Sequence, residues 1–143
     1  METTLAQVVG QVLPKLRTIS SEEAAAKPLP GKWSKKEILG HLIDSAANNH
    51  QRFIRLQRDR EIALPGYDQD AWVEANRYQA ADWSELASLW AAYNLHLAAV
   101  IQGIDPACAE HVWHHPKADY KLGFLVDDYV AHMRHHLAQI GVV

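Results

Sequence analysis

Gly31-Lys32-Trp33-Ser34-Lys35-Lys36-Glu37-Ile38-Leu39-Gly40-His41-Leu42-Ile43-Asp44 is the stretch from which the architecture can be read. Pro28, Pro30 and Gly31 break the backbone ahead of it. Ser34 and Glu37 then form the signature of a capping box, the hydroxyl reaching the N3 amide and the carboxylate reaching back. Trp33 and Ile38 flank the cap as a hydrophobic staple. Leu39, Leu42, Ile43, Ala46, Phe53 and Leu56 continue one apolar stripe, predicting a long helix that stops before Pro65-Gly66. His41, Asp44, Ser45 and Asn48 follow one another at helical spacing and form a polar strip beside that stripe. Buried polar groups are costly unless paired, so such a strip turned into a core predicts a site or a wet cavity.

Three further segments share this periodicity. Leu5, Val8, Val9, Val12, Leu13, Leu16 and Ile19 form a stripe in which Pro14 predicts a kink. Asp82 and Glu85 resemble a second capping box ahead of Leu86, Leu89, Trp90, Tyr93, Leu97, Val100, Ile101 and Ile104, a helix ending before Pro106. Leu125, Tyr129, Met133, Leu137 and Ile140 make the last stripe, with Gly141 as its stop. Between the second and third segments runs a long connection, Arg60 to Ala81. Within it, Asp68 to Asn76 predicts a short extra helix anchored by Trp72. Val112 to Leu122 has the look of a short hairpin, against which Pro116 counts. Four amphipathic helices in one domain spanning residues 1–143 predict an all-α four-helix bundle.

Composition narrows the function. The formal net charge is −3 and the pI about 6.3, with basic residues scattered, so no nucleic-acid footprint or polybasic membrane anchor is read. A single cysteine, Cys108, excludes an intramolecular disulfide and a multi-cysteine zinc site, and nothing around it suggests a nucleophile. Polar residues interrupt the N-terminus from Met1 onward, so no signal peptide is expected, and the location expected is cytoplasmic. Nine histidines are the total that stands out.

On a helical wheel His132 and His136 sit roughly 40° apart, facing the core, whereas His135 falls about 60° outside them beside Asp128. Two imidazoles one turn apart can grip one metal ion, which makes them the pair of choice, with His41 the third candidate. The alternative for each is a hydrogen-bonded structural histidine. His41 lies about 10 Å into its helix, and His132 and His136 about 6–12 Å from the end of theirs. They share a level if these two helices are antiparallel, which predicts up-down-down-up connectivity with Arg60–Ala81 as the crossover. His96 is read as a flank residue, His50 as a packed or edge residue, and His111, His114 and His115 as parts of a polar loop around Trp113. No Glu-x-x-His pair, H-E-x-x-H, G-x-S-x-G, P-loop or dinucleotide fingerprint is present.

The segment through Trp33-Ser34, Glu37, His41-Leu42 and Asp44 resembles the "W-S-x-x-E-x-x-x-H-L-x-D" signature of the DinB-like superfamily. The tail His132-Met133-Arg134-His135-His136-Leu137-Ala138-Gln139-Ile140 resembles its closing "H-x-x-x-H-x-x-Q-I" helix. The likeness covers essentially the whole chain. It implies an up-down-down-up bundle that binds one divalent metal ion through His41, His132 and His136. Characterised members of that superfamily include bacillithiol- and mycothiol-dependent S-transferases and maleylpyruvate isomerases, and homodimers are common among them.

The expected function is therefore a metal-dependent thiol S-transferase acting on small electrophiles, with a low-molecular-weight thiol as co-substrate. Nickel or zinc is the expected ion, with iron or manganese also compatible with imidazole ligands. Ser45, Asn48 and Tyr129 are the expected substrate-orienting residues. One rival is a hydrolase in which the metal activates water, with Asp44 as the nearest carboxylate or as a partner of a histidine. The other is a non-enzymatic, metal-stabilised stress or interaction module using exposed aromatics around Tyr67, Trp72 and Trp113.

Overall fold

A computed structural model describes residues 4–143, so the expectation about the extreme N-terminus, Met1 to Thr3, lies outside the described residues. Its long helices are α1 (Leu5–Leu16), α3 (Lys35–Arg58), α5 (Trp83–Gln102) and α6 (Leu122–Ile140). Two shorter ones are α2 (Ser21–Ala25) and α4 (Gln69–Asn76). The expected capping box begins α3: Ser34 Oγ accepts from the Glu37 amide at 3.2 Å, and Glu37 Oε1 accepts from the Ser34 amide at 3.1 Å. At α5 only half of the expected box forms, Asp82 accepting from the Glu85 amide at 2.9 Å. α1 carries Pro14 and runs only as far as Leu16 beyond it. Gly141 ends α6 with φ +95°, a conformation that glycine adopts without strain.

Side-chain contacts fix the helix directions. Trp83 Nε1, at the start of α5, donates to the Leu16 carbonyl at the end of α1 (2.9 Å), making these helices antiparallel. Tyr78, just before α5, lies on Gly40 near the start of α3, and further along His50 of α3 meets Tyr93 and His96 of α5. Those two helices therefore run parallel. His41 meets His132 and His136, whereas Phe53 meets Tyr129, so α6 is antiparallel to α3. The order is up-down-down-up, as the sequence implied. No helix among the described residues is long and apolar enough to cross a membrane.

The connections hold more structure than periodicity disclosed. β1 (Glu61–Ala63), β2 (Val112–His114) and β3 (Asp119–Lys121) form a small sheet in that order, β1 and β2 parallel, β2 and β3 antiparallel. The hairpin foreshadowed between Val112 and Leu122 thus exists, with Pro116 outside its strands. The parallel strand β1 is unsignalled because its three residues only gain a partner about fifty positions later. His114 ties the sheet crosswise, bonding Glu61 of β1 at 3.0 Å and Asp119 of β3 at 2.8 Å. His114 is therefore a strand residue, not part of a polar loop. His111 bonds the Leu56 carbonyl. The extra helix α4 forms, but its anchor is Val73, which is buried, while Trp72 is exposed and leans on Tyr67.

Candidate metal centre

His41, His132 and His136 converge. One nitrogen from each lies within 4.8 Å of the others, and they are the metal-compatible cluster found among the described residues. The Nε2 atoms of His41 and His132 face each other at 3.2 Å. α3 places His41 one face over from the core residues Leu39 and Leu42, so it is buried, while His132 and His136 on α6 are half-buried. Trp33, the residue before the α3 cap, packs its indole against the His41 ring with centroids 5.0 Å apart. It therefore covers the site in addition to marking the helix start.

The electrostatics favour neutral rings. Burial, reinforced by His132 and His136, pushes His41 down to about 3. Burial likewise lowers His132, with His136 adding to the effect and Asp128 opposing it. His136 is lowered by burial, against a hydrogen bond from its Nδ1 to Gln139 Oε1 at 2.8 Å. An amide oxygen only accepts, so Gln139 fixes the tautomer that leaves His136 Nε2 with a free lone pair. Metal ligation requires neutral imidazoles, and here the protein supplies them already deprotonated and at coordinating separation. His41 Nδ1 is buried without a hydrogen-bond partner, so its ring is held by packing and by the facing histidines. The donor set fits a divalent cation.

Asp44, one turn along α3, is buried and pairs with none of the three histidines. Its Oδ1 accepts from Tyr78 Oη at 2.6 Å and from Asn76 Nδ2 at 2.9 Å, while Oδ2 is left without a partner. Burial raises it to about 6, with the Tyr78 bond opposing the rise. Tyr78 reaches it because Gly40 has no side chain: a Cβ there would sit 2.1 Å from the Tyr78 ring. The role of histidine partner expected for Asp44 does not hold.

A cavity of about 380 Å³ opens beside the histidines. Ser45, Tyr129 and His132 line it, together with Asn49, Arg52, Leu125 and Asp128. From the far side Tyr67, Trp113, His115 and Tyr120 close over it, brought in by the connection after β1 and by the β2–β3 hairpin, with Phe124 from the first turn of α6. Of the residues expected to orient a ligand, Ser45 lies on the cavity lining. Tyr129 lines the wall, but its hydroxyl is committed to buried Asn94 on α5. Asn48 is not on this wall. Its amide caps the Asp44 carbonyl at 2.9 Å and it borders a separate hollow, because one residue of helical rotation puts Asn49 on the cavity instead.

Of the remaining histidines, His115 lines the cavity, and none joins the cluster of three. His135 packs on the outer side of His136. His50 bonds Tyr93 Oη at 2.9 Å and His96 leans on it, consistent with packed and flank positions. Cys108 is half-buried near the Gln57 carbonyl and outside the cavity. Arg52 and the aromatic wall were not singled out for the site by sequence. Arg52 looks like one scattered basic residue among many, and Trp113, grouped there with exposed aromatics, is buried. A signal was available in the i, i+4, i+7 and i+11 series His41, Ser45, Asn48 and Arg52, which points along one face of α3.

Comparison with known proteins agrees with this arrangement. The chain is 28% identical over 140 residues to YfiT of Bacillus subtilis, covering 94% of this chain and 79% of that protein. It is 24% identical over 123 residues to a protein of Oceanobacillus iheyensis, covering 85% of this chain and 71% of the relative. Both relatives are provisionally named metal-dependent hydrolases. The solved structure of YfiT, described as an unusual four-helix bundle, superposes with a TM-score of 0.82 at 24% identity over 96% of this chain and 82% of that one. The sequence pattern of the DinB superfamily matches residues 4–140, and with that span this chain belongs to the DinB superfamily.

Proposed function

We propose that this protein is a metal-dependent hydrolase of small molecules, with His41, His132 and His136 as the ligands of one divalent cation, nickel or zinc. The observation that carries the reading is three neutral imidazoles, converging within 4.8 Å, beside a cavity of about 380 Å³ to which one of them is open. The provisional names of the relatives point the same way. A cation bound there would lower the pKa of water and polarise a carbonyl. Three protein ligands on two helices leave further coordination positions for small molecules.

The chain's own residues supply the remainder. Gln139 holds His136 in its ligating tautomer, and Trp33 keeps water off the buried edge of His41. Ser45 and Asn49 offer hydrogen bonds along one wall, and Asp128, one turn before His132, is the carboxylate on the cavity lining and the candidate proton acceptor.

A thiol S-transferase is the second reading, favoured by one observation. The buried carboxylate nearest in sequence, Asp44, has its Oδ1 engaged by Tyr78 and Asn76 and does not line the cavity, and a thiol bound to a cation ionises without a general base. Under either reading the partners are small molecules. Pairing of two copies of the chain is proposed on the family resemblance alone.

The deciding assay uses metal-loaded protein and a panel of esters and amides, with and without a small thiol. Turnover that needs metal but no thiol supports hydrolysis. Consumption of an electrophile only in the presence of thiol replaces it with S-transfer, and neither activity in any metal form overturns both.

A further inference from the structure

Arg52 is 8% exposed, on the inward face of α3, yet no carboxylate is within ion-pair distance of it among the described residues. The ion pairs found there belong to Lys27, Lys35, His114 and Lys121. A guanidinium has five N–H donors. One reaches Asn49 Oδ1, at a long 3.3 Å. The face of the group is fixed 3.8 Å from the centre of the Trp113 ring, whose own Nε1 is anchored on the Leu64 carbonyl at 2.9 Å. This cation–π contact holds the plane of the guanidinium without consuming its in-plane donors. Arginines are rarely buried without a partner, because desolvating the charge costs more than packing returns. The donors of Arg52 that remain belong to a side chain on the cavity wall that also includes His132.

We infer that the small molecule handled at this centre carries a carboxylate, which docks on Arg52 while its reactive end lies toward the histidines. The inference rests on the reading that this cavity is the active site. Its volume of about 380 Å³ suits a compact ligand. Planar, paired N–H donors match the two oxygens of a carboxylate in a bidentate grip. A phosphate dianion fits less well, since Arg52 is the sole arginine or lysine on the lining and Asp128 places a negative charge on the same wall. Tyr67, Tyr120 and Phe124 between them offer apolar faces, so the body joining carboxylate to reactive group is apolar or aromatic.

Benzoate and benzyl alcohol differ in the group that Arg52 would read and share the ring that the aromatic wall would hold. Their affinities are measured on the full chain by titration calorimetry, in metal-stripped and zinc-loaded protein, with phenyl phosphate as a third probe. The Arg52 Nε–H resonance is followed in parallel. The expected result in both forms is benzoate binding at least tenfold tighter than benzyl alcohol, with the Arg52 resonance shifting to saturation. Arg52→Gln abolishes the preference and Arg52→Lys keeps part of it. Equal affinity for benzoate and benzyl alcohol overturns the proposal, as does a preference that survives in Arg52→Gln. Tighter binding of phenyl phosphate than of benzoate overturns the carboxylate assignment. Should Arg52→Gln not fold, the resonance and the affinity ratio in the unsubstituted protein decide. The metal-stripped arm keeps this result separate from the fate of the hydrolase reading, which metal analysis and the turnover assay judge.

Discussion

His41 and His132, 91 positions apart in sequence, meet Nε2 to Nε2 at 3.2 Å. Two ring nitrogens at that distance cannot both carry a proton, so the pair holds at most one between them, or shares a cation. Antiparallel packing of α3 and α6 brings His136 to the same point.

Purified without a histidine tag, the protein is expected to hold one divalent ion per chain. His41→Ala and His132→Ala should each lower its occupancy at least tenfold, and His135→Ala, on the outer side of the cluster, should not. Elemental analysis checks this. No bound metal after reconstitution with nickel or zinc would remove the central claim.

Acid should weaken the metal-stripped fold through the histidines. His41 titrates at about 3 when folded and at 6.5 ordinarily, so between those values the unfolded chain binds more protons. Stability in that window rises with pH, and His132 and His136 act in the same direction. Asp44 opposes them: raised from 3.8 to about 6, it gives the folded state the extra proton, so its contribution falls as pH rises through that interval. In thermal melts between pH 4 and 7, His41→Ala should therefore flatten the acid loss and Asp44→Asn should steepen it. A His41→Ala profile parallel to the parent's would contradict the depressed pKa.

Gly40→Ala should destabilise by about 1–3 kcal/mol, the usual cost of overpacking, because the new methyl meets the Tyr78 ring at 2.1–2.6 Å. Tyr78→Phe removes the 2.6 Å bond to buried Asp44 and should cost about 1–3 kcal/mol by itself. In the double variant the two losses should fall short of additive, since both act on one contact. Urea denaturation measures all three, and a neutral Gly40→Ala would mean that Tyr78 moves aside freely.

Tyr129→Phe separates a structural hydroxyl from a substrate-binding one. The change strands Asn94 Oδ1, which is fully buried, at a cost of about 1–3 kcal/mol. Metal content and the Michaelis constant should be unchanged. A raised Michaelis constant at unaltered stability would return Tyr129 to the ligand-binding group.

Much of this molecule is legible in local sequence. Ser34 and Glu37 locate the start of α3 because a capping box is satisfied within four residues. The apolar stripes locate the long helices because each helix must bury one face. His132 and His136 read as a pair because one helical turn separates them, and His41 joined them through the level argument and the family signature. What remained hidden depends on partners distant in the chain. β1 is too short to be a strand until β2 lies beside it, and the Asn48–Asn49 choice turns on a rotation of α3 about its axis that only packing sets. Arg52 shares a helical face with His41 and Ser45, but nothing local marks it as buried or unpaired. Its burial, its seat on Trp113 and its missing counter-charge exist only once the hairpin folds back over α3. Backbone hydrogen bonding and amphipathicity are properties of neighbours in sequence, so the sequence by itself determined the helices and nominated the ligands. Desolvation and cavity shape are properties of neighbours in space, so only the tertiary structure decided how those ligands are tuned and what lines the cavity beside them.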